Sequence, residues 1–266
     1  MCGIFGFALR KPLPLTKVFN VLEKLETHKY PQEKNPLGGF GAGLAVLLPD
    51  GSVFSEKVGK ISTSPVASLA DIVKPNIKKA SVLLAHVRMP SPEFMNTAQH
   101  KETAQPYVVE FDPNLTIVSV HNGKMENYKQ VRTELGKEHV FESEKYQLID
   151  SEVIPHYFEE ILEEEENAEK ALNSLYSVMQ GRSALSMLQI TEENTYMHFI
   201  HKKWTRGLTI WTNTKGEVIF CSRKEPLKKE FNKILTKGGF HEKISIAYHE
   251  DAKLKLTFPI DWEIKT

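Results

Sequence analysis

The sequence is short of cysteine: only Cys2 and Cys221 occur in 266 residues, too few for a disulfide framework. It is equally short of charge imbalance, since 34 basic and 34 acidic residues cancel. That balance excludes a basic stripe for nucleic acid and an acidic tail for a basic partner. No apolar run reaches the roughly 20 residues that a membrane-spanning helix needs. Arg10 and Lys11 interrupt the apolar opening too early for a signal peptide. Repeats, low-complexity segments and an obvious linker are also missing. The ten histidines show no metal-ligand spacing, so neither a metal nor any other cofactor is expected. These absences point to a cytoplasmic chain that binds neither nucleic acid nor membrane, with residues 2–266 as one domain.

What is present is ample apolar material, 41% of the chain, arranged in two periodicities. Cys2–Ala8 reads as a buried strand, and Leu15–Glu26 as a helix with Val18, Leu22 and Leu25 on one face. Pro31–Gly43 reads as a loop. Leu44–Leu48, the turn Pro49–Gly51 and Ser52–Val58 read as a hairpin. Ala80–Val87 is a strand, Met89–Pro106 a long loop, and Leu115–Val120 a strand stopped by His121-Asn122-Gly123. From Ser151 the period turns helical, with the acidic run Glu163–Glu166 as a solvated helix end and a second helix over Ala168–Met179. Strands follow at Ala184–Ile190, Thr195–His201, Leu208–Thr212 and Val218–Cys221. Lys243–Lys255 reads as a closing hairpin. Antiparallel strand runs with helices clustered between them define an α+β chain, with sheets face to face and helices outside.

Cys2 draws attention by position. Loss of Met1 would place a thiol and an α-amine on one residue, and an amine with a pKa of about 7.7–8.0 is partly neutral at physiological pH. A thiol beside a base is an activated nucleophile. Taken alone, Cys2 is also an ordinary small strand residue. Asn122-Gly123 alone favours a type I′ turn, Asp150 alone is an ordinary helix N-cap, and Arg88 alone is a surface arginine after a strand.

In combination these motifs mean more. Cys2-Gly3-Ile4-Phe5-Gly6 opens the chain, His86-Val87-Arg88 closes one strand and His121-Asn122-Gly123 another. Asp150-Ser151-Glu152-Val153-Ile154 then opens a helix. In this order the chain resembles the class II glutamine amidotransferases, a branch of the N-terminal-nucleophile (Ntn) hydrolases, over roughly Cys2 to Leu227.

The resemblance implies a four-layer αββα sandwich of two antiparallel sheets. It implies Cys2 as the nucleophile that takes the glutamine side-chain acyl group as a thioester, and Asn122 and Gly123 as the oxyanion hole. It further implies Arg88 for the α-carboxylate of L-glutamine and Asp150 for its α-ammonium. His86 and His121 read as structural. Where the family shows an aromatic residue, alanine, threonine, a variable residue and glycine after its arginine, this chain has Met89-Pro90-Ser91-Pro92-Glu93. Ser91 keeps a hydroxyl for the substrate, whereas Met89 and Glu93 depart from the pattern.

The sequence leaves no room for a synthase domain, so the expected ammonia acceptor is a separate synthase subunit. Two other readings stay open. One is a stand-alone N-terminal-cysteine amidohydrolase on another γ-glutamyl compound. The other is a non-catalytic regulatory module of the same fold.

Overall fold

The structure is a computed structural model that describes residues 2–110, 114–136, 138–165 and 167–265. Met1, whose removal the sequence reading requires, and Glu166 lie outside the described residues. In chain order the first half holds β1 (Gly3–Pro14), α1 (Leu15–Thr27), β2 (Gly41–Leu47), β3 (Val53–Gly59), α2 (Pro65–Val73), β4 (Lys79–Val87) and β5 (Tyr107–Val109). Then come β6 (Leu115–Met125), α3 (Tyr128–Glu134), α4 (Asp150–Glu165), α5 (Ala168–Val178), β7 (Gly181–Thr191) and β8 (Thr195–Trp204). The chain closes with β9 (Leu208–Thr212), β10 (Val218–Cys221), α6 (Lys224–Lys237), β11 (His241–Ile246) and β12 (Asp251–Pro259).

Among these strands, seven form one antiparallel sheet in the order β11-β9-β10-β1-β4-β2-β3, and five form another in the order β12-β8-β7-β6-β5. The period of two along each strand builds the layers. On β1, Phe5, Phe7 and Leu9 pack outward against α1, α2 and α6. Ile4 and Ala8 point the other way, onto Val118, Val120, Ala184 and Phe199 of the second sheet. That sheet turns Ile117, Leu185, Met187 and Ile200 outward onto α3, α4 and α5. The result is helices, sheet, sheet, helices, as the resemblance implies. Among the described residues no helix is long and apolar enough to cross a membrane.

Several elements differ from the sequence reading, each for a local reason. β6 does not stop at His121. It runs on to Met125, with Asn122 opposite Ala184 and Gly123 opposite Ser183. Asn122-Gly123 is therefore not a hairpin turn. Gly123 is required by close packing, because a Cβ there would lie 2.0 Å from the Arg182 carbonyl oxygen. The tail is two strands but not a hairpin: β11 joins β9 in the first sheet, and β12 joins β8 in the second. The long loop after Arg88 contains two short 3₁₀ turns, Pro92–Thr97 and Lys101–Thr103. Four further elements, α2, α3, β5 and α6, fall where no element was expected.

Candidate active site

The same alternation that layers the sandwich assembles the site. Val82 and Leu84 on β4 face the second sheet, so His86 and Arg88 at the end of that strand point the same way. Cys2 precedes Ile4 by two and shares its face. Asn122 follows Val118 and Val120 in steps of two and faces back across the sandwich. Cys2 and Asn122 accordingly meet: the Cys2 backbone nitrogen donates to Asn122 Oδ1 at 3.0 Å. Asn122 is fully buried, and its Nδ2 finds no acceptor among the described residues. A buried amide donor without a partner costs free energy unless something binds there.

The Cys2 thiol sits against Met89, 3.5 Å from its carbonyl oxygen and 3.3 Å from its N–H, which donates to the sulfur. A cavity of about 70 Å³ opens beside it. Cys2, Arg88, Ser91, Gly123 and Asp150 all line this space, and Asn122 joins them through its bond to the Cys2 nitrogen. Sequence reasoning thus named six positions that the fold gathers in one place. Wider clefts, such as one of about 450 Å³ beside Glu163 and Glu192, hold none of these residues.

Arg88 is 4% exposed, and burial lowers its pKa from the ordinary guanidinium value. Its fork donates to neutral oxygens: Nη1 to Thr103 Oγ1 at 2.7 Å and to the Thr97 carbonyl at 3.3 Å, Nη2 to Thr97 Oγ1 at 2.8 Å. Among the described residues it forms no ion pair. Opposite it, Asp150 begins α4 and accepts the Met125 N–H on Oδ2 at 2.8 Å. Burial is the main reason its carboxyl is pushed up to about 6. The Ser91 hydroxyl is buried without a partner among the described residues. The cavity therefore presents an uncompensated cation, an anion and a spare hydroxyl around a thiol, with the unpaired Asn122 amide next to Cys2.

Of the supporting groups, the sequence reading names only His86 and His121. Gln105 clamps the β6 backbone at His121, its Oε1 accepting the His121 N–H at 2.6 Å and its Nε2 donating to the His121 carbonyl at 3.2 Å. The His121 ring spans Ser151 Oγ on α4 at 2.8 Å and Ser183 Oγ on β7 at 3.1 Å. Burial holds His121 and His86 down at about 3, so both are neutral near pH 7. Gln105 falls at the end of the expected loop Met89–Pro106, where the sequence reading gives it no role of its own. Thr97 and Thr103 carry no signal of their own. Glu93 does not line the cavity itself, and its carboxylate accepts from Lys124 Nζ, a lining residue, at 2.8 Å and from the Tyr128 hydroxyl at 3.1 Å.

Helices, sheet, sheet, helices, with Cys2 leading into the central strand β1, is the layering of the N-terminal-nucleophile hydrolase fold. Residues 94–229, just over half of the chain, match the glutamine amidotransferase domain family, and the chain belongs to that family, in its class II branch. It is 30% identical over 199 residues to a glutamine–fructose-6-phosphate aminotransferase of Geobacillus kaustophilus, covering 73% of this chain and 28% of that protein. The same enzyme of Bacillus thuringiensis is 30% identical over 205 residues, covering 76% and 29%. The chain thus spans less than a third of the length of these curated relatives.

In fold it is similar to a solved allosteric regulatory enzyme of purine biosynthesis, with a TM-score of 0.64 at 16% identity over 93% of this chain and 45% of that one. It is also similar to the glutamine phosphoribosylpyrophosphate amidotransferase of B. subtilis, with a TM-score of 0.62 at 16% identity, covering 96% and 49%.

Proposed function

We propose that residues 2–266 act as one glutaminase unit that hydrolyses L-glutamine to glutamate and ammonia through a Cys2 thioester. The observation that carries this reading is the two-sided use of Asn122: Oδ1 holds the Cys2 nitrogen while Nδ2 stands unpaired. Removal of Met1 turns that nitrogen into an α-amine. The amine takes the thiol proton as Sγ attacks the side-chain amide carbon. Asn122 Nδ2 and the Gly123 N–H receive the oxyanion, a contribution of about 2.7–4 kcal/mol for each such donor. The amine then returns the proton to the departing nitrogen, ammonia leaves, and the γ-glutamyl thioester remains. Water adds to the thioester, the amine again carries the proton, and glutamate departs from the restored thiol.

The ends of the substrate supply selectivity. Arg88 takes the α-carboxylate in place of its neutral threonine partners, Asp150 takes the α-ammonium, and Ser91 donates to the bound amino acid. Both charges of a free amino acid are then paired, which a peptide cannot match. The cavity of about 70 Å³ is far below the ~300–1,000 Å³ of typical ligand pockets. The segment Met89–Pro106 that walls it therefore shifts when glutamine enters. Ammonia passes to an acceptor enzyme outside these residues, for which a separate synthase subunit is the proposed form.

Intact-mass spectrometry before and after 6-diazo-5-oxo-norleucine tests this reading. A protein lacking Met1 that gains one adduct, mapped to Cys2, is the expected result. A processed protein without an adduct would transfer the site to another γ-glutamyl compound. Retained Met1 without an adduct would leave a regulatory module.

A further inference from the structure

Away from the Cys2 cavity, α4 carries a second group of side chains that glutamine hydrolysis does not use. His156 and Glu159 stand three residues apart and so share a helix face. The segment after α3 brings His139 against them, and all three are buried. His139 Nδ1 lies 3.1 Å from His156 Nδ1 and 3.6 Å from Glu159 Oε2. One ligand atom from each falls within 4.8 Å of the others. In a tetrahedral site with bonds of about 2.0–2.1 Å, neighbouring ligand atoms stand about 3.3–3.4 Å apart. The two distances from His139 bracket that value.

The surroundings of His139 are those of a ligand. Its Nε2 faces Glu160 Oε1 at 3.0 Å, and Glu160 Oε2 accepts the Gly136 N–H at 3.0 Å. A carboxylate behind the far nitrogen places the proton on Nε2 and leaves the Nδ1 lone pair directed at His156 and Glu159. His156 presents Nδ1 to the same point, and the Nδ1–Nδ1 contact, a hydrogen bond without an ion, gives way when both rings take the Nε2–H tautomer. Its ring packs on Phe141 at 4.1 Å between centroids. It also lines an open cavity of about 360 Å³ with Tyr107, Val140 and Glu142, which gives an ion a path in.

We propose that His139 Nδ1, His156 Nδ1 and Glu159 Oε2 bind one divalent transition ion of the zinc type, with water as the fourth ligand. Two imidazoles and one carboxylate suit such an ion, whereas magnesium and calcium favour all-oxygen shells. The six helical steps from Asp150 to His156 span about 9 Å, so the ion lies outside the Cys2 cavity. Its role is to fasten the segment between α3 and α4 onto α4. Glu152 already clamps that segment, accepting from the Glu142 and Ser143 N–H groups at 2.7 and 3.1 Å.

The test uses the full chain, stripped by a chelator and with Cys2 blocked by iodoacetamide so that its thiol contributes nothing. Zn²⁺ uptake is measured by dialysis and elemental analysis, and Co²⁺ uptake by visible d–d absorption. The expected result is one equivalent per chain, a tetrahedral Co²⁺ spectrum, and a Tm that rises with Zn²⁺. His139→Gln and His156→Gln each weaken binding at least about 100-fold, while His241→Gln, on an exposed strand position, leaves it unchanged. Should the buried variants misfold, the Co²⁺ spectrum of the unaltered chain decides. Absence of stoichiometric uptake, an octahedral spectrum, or uptake that survives both glutamine variants overturns the site.

Discussion

The two sheets contribute to the site in different ways. The seven-stranded sheet delivers Cys2 and Arg88 from strands packed by apolar contacts, with Phe5 and Phe7 against Phe231 and the α1 and α2 side chains. The five-stranded sheet delivers Asn122 and Gly123 from a strand held at that point by polar bonds: Gln105 to the His121 backbone, His121 to Ser151 and Ser183, and Asp150 to Met125. The Cys2 sulfur thus stands on a surface fixed by packing. The groups that would receive charge stand on one fixed by hydrogen bonds. Packing places a chain end to within its ladder register, whereas hydrogen bonds also orient the dipoles that must meet an oxyanion.

This contrast makes graded predictions. Cys2→Ala removes the thiol that the first sheet supplies, and ammonia release from glutamine should fall at least about 10⁴-fold. Calorimetry should still register glutamine binding; turnover near the unaltered rate would falsify the thioester route. Asn122→Ala removes one donor from the second sheet, and kcat should fall about 10²–10³-fold with KM little changed. A matching rise in KM instead would show that Asn122 serves binding. Arg88→Lys exchanges a two-pronged donor for a point charge, and KM should rise about 10–100-fold while kcat holds. Steady-state kinetics with an unchanged KM would remove Arg88 from the carboxylate.

The smallest effect is on pH dependence. Asp150 must be ionised to hold an ammonium, and burial has raised it to about 6 in the free protein. As pH falls through that value the carboxyl becomes neutral and glutamine binding weakens. The α-amine, with its higher pKa, is protonated over the same range. Below pH 6, log(kcat/KM) should therefore fall with a slope near two, and with a slope near one in Asp150→Asn. Identical slopes in the two proteins would place Asp150 outside the ionisations that matter.

The sequence was most legible where a strand carried both chemistry and alternation. The expected strands Cys2–Ala8 and Ala80–Val87 coincide with β1, which starts one residue later at Gly3, and with β4, and Cys2 and Arg88 flank the ends of these two strands. It was misleading at Asn122-Gly123, whose local preference is a turn. The ladder with β7 overrides that preference by eleven cross-strand partners along β6. Tail strands were legible as strands but not in their pairing, because β9 and β8 lie far off in sequence and no local pattern names them. The helix α6 escaped because charge dilutes its stripe of Leu227, Phe231 and Leu235. Threonines 97 and 103 were invisible for a different reason: their value is their distance from one guanidinium, which only the folded loop fixes.

One pairing in the first sheet has an analytical use. The second cysteine, Cys221, sits on β10 directly across the ladder from Phe5, fully buried, and burial pushes its thiol up to about 12. Cys2, three residues before Phe5, is partly open to solvent. Thiolate is the species that reacts with alkylating reagents, so the native protein offers them a single target. A thiol titre of one in buffer and two in denaturant then counts intact molecules and reads folding from the same sample. Any preparation whose native titre drops towards zero has lost the Cys2 thiol before a substrate is ever added.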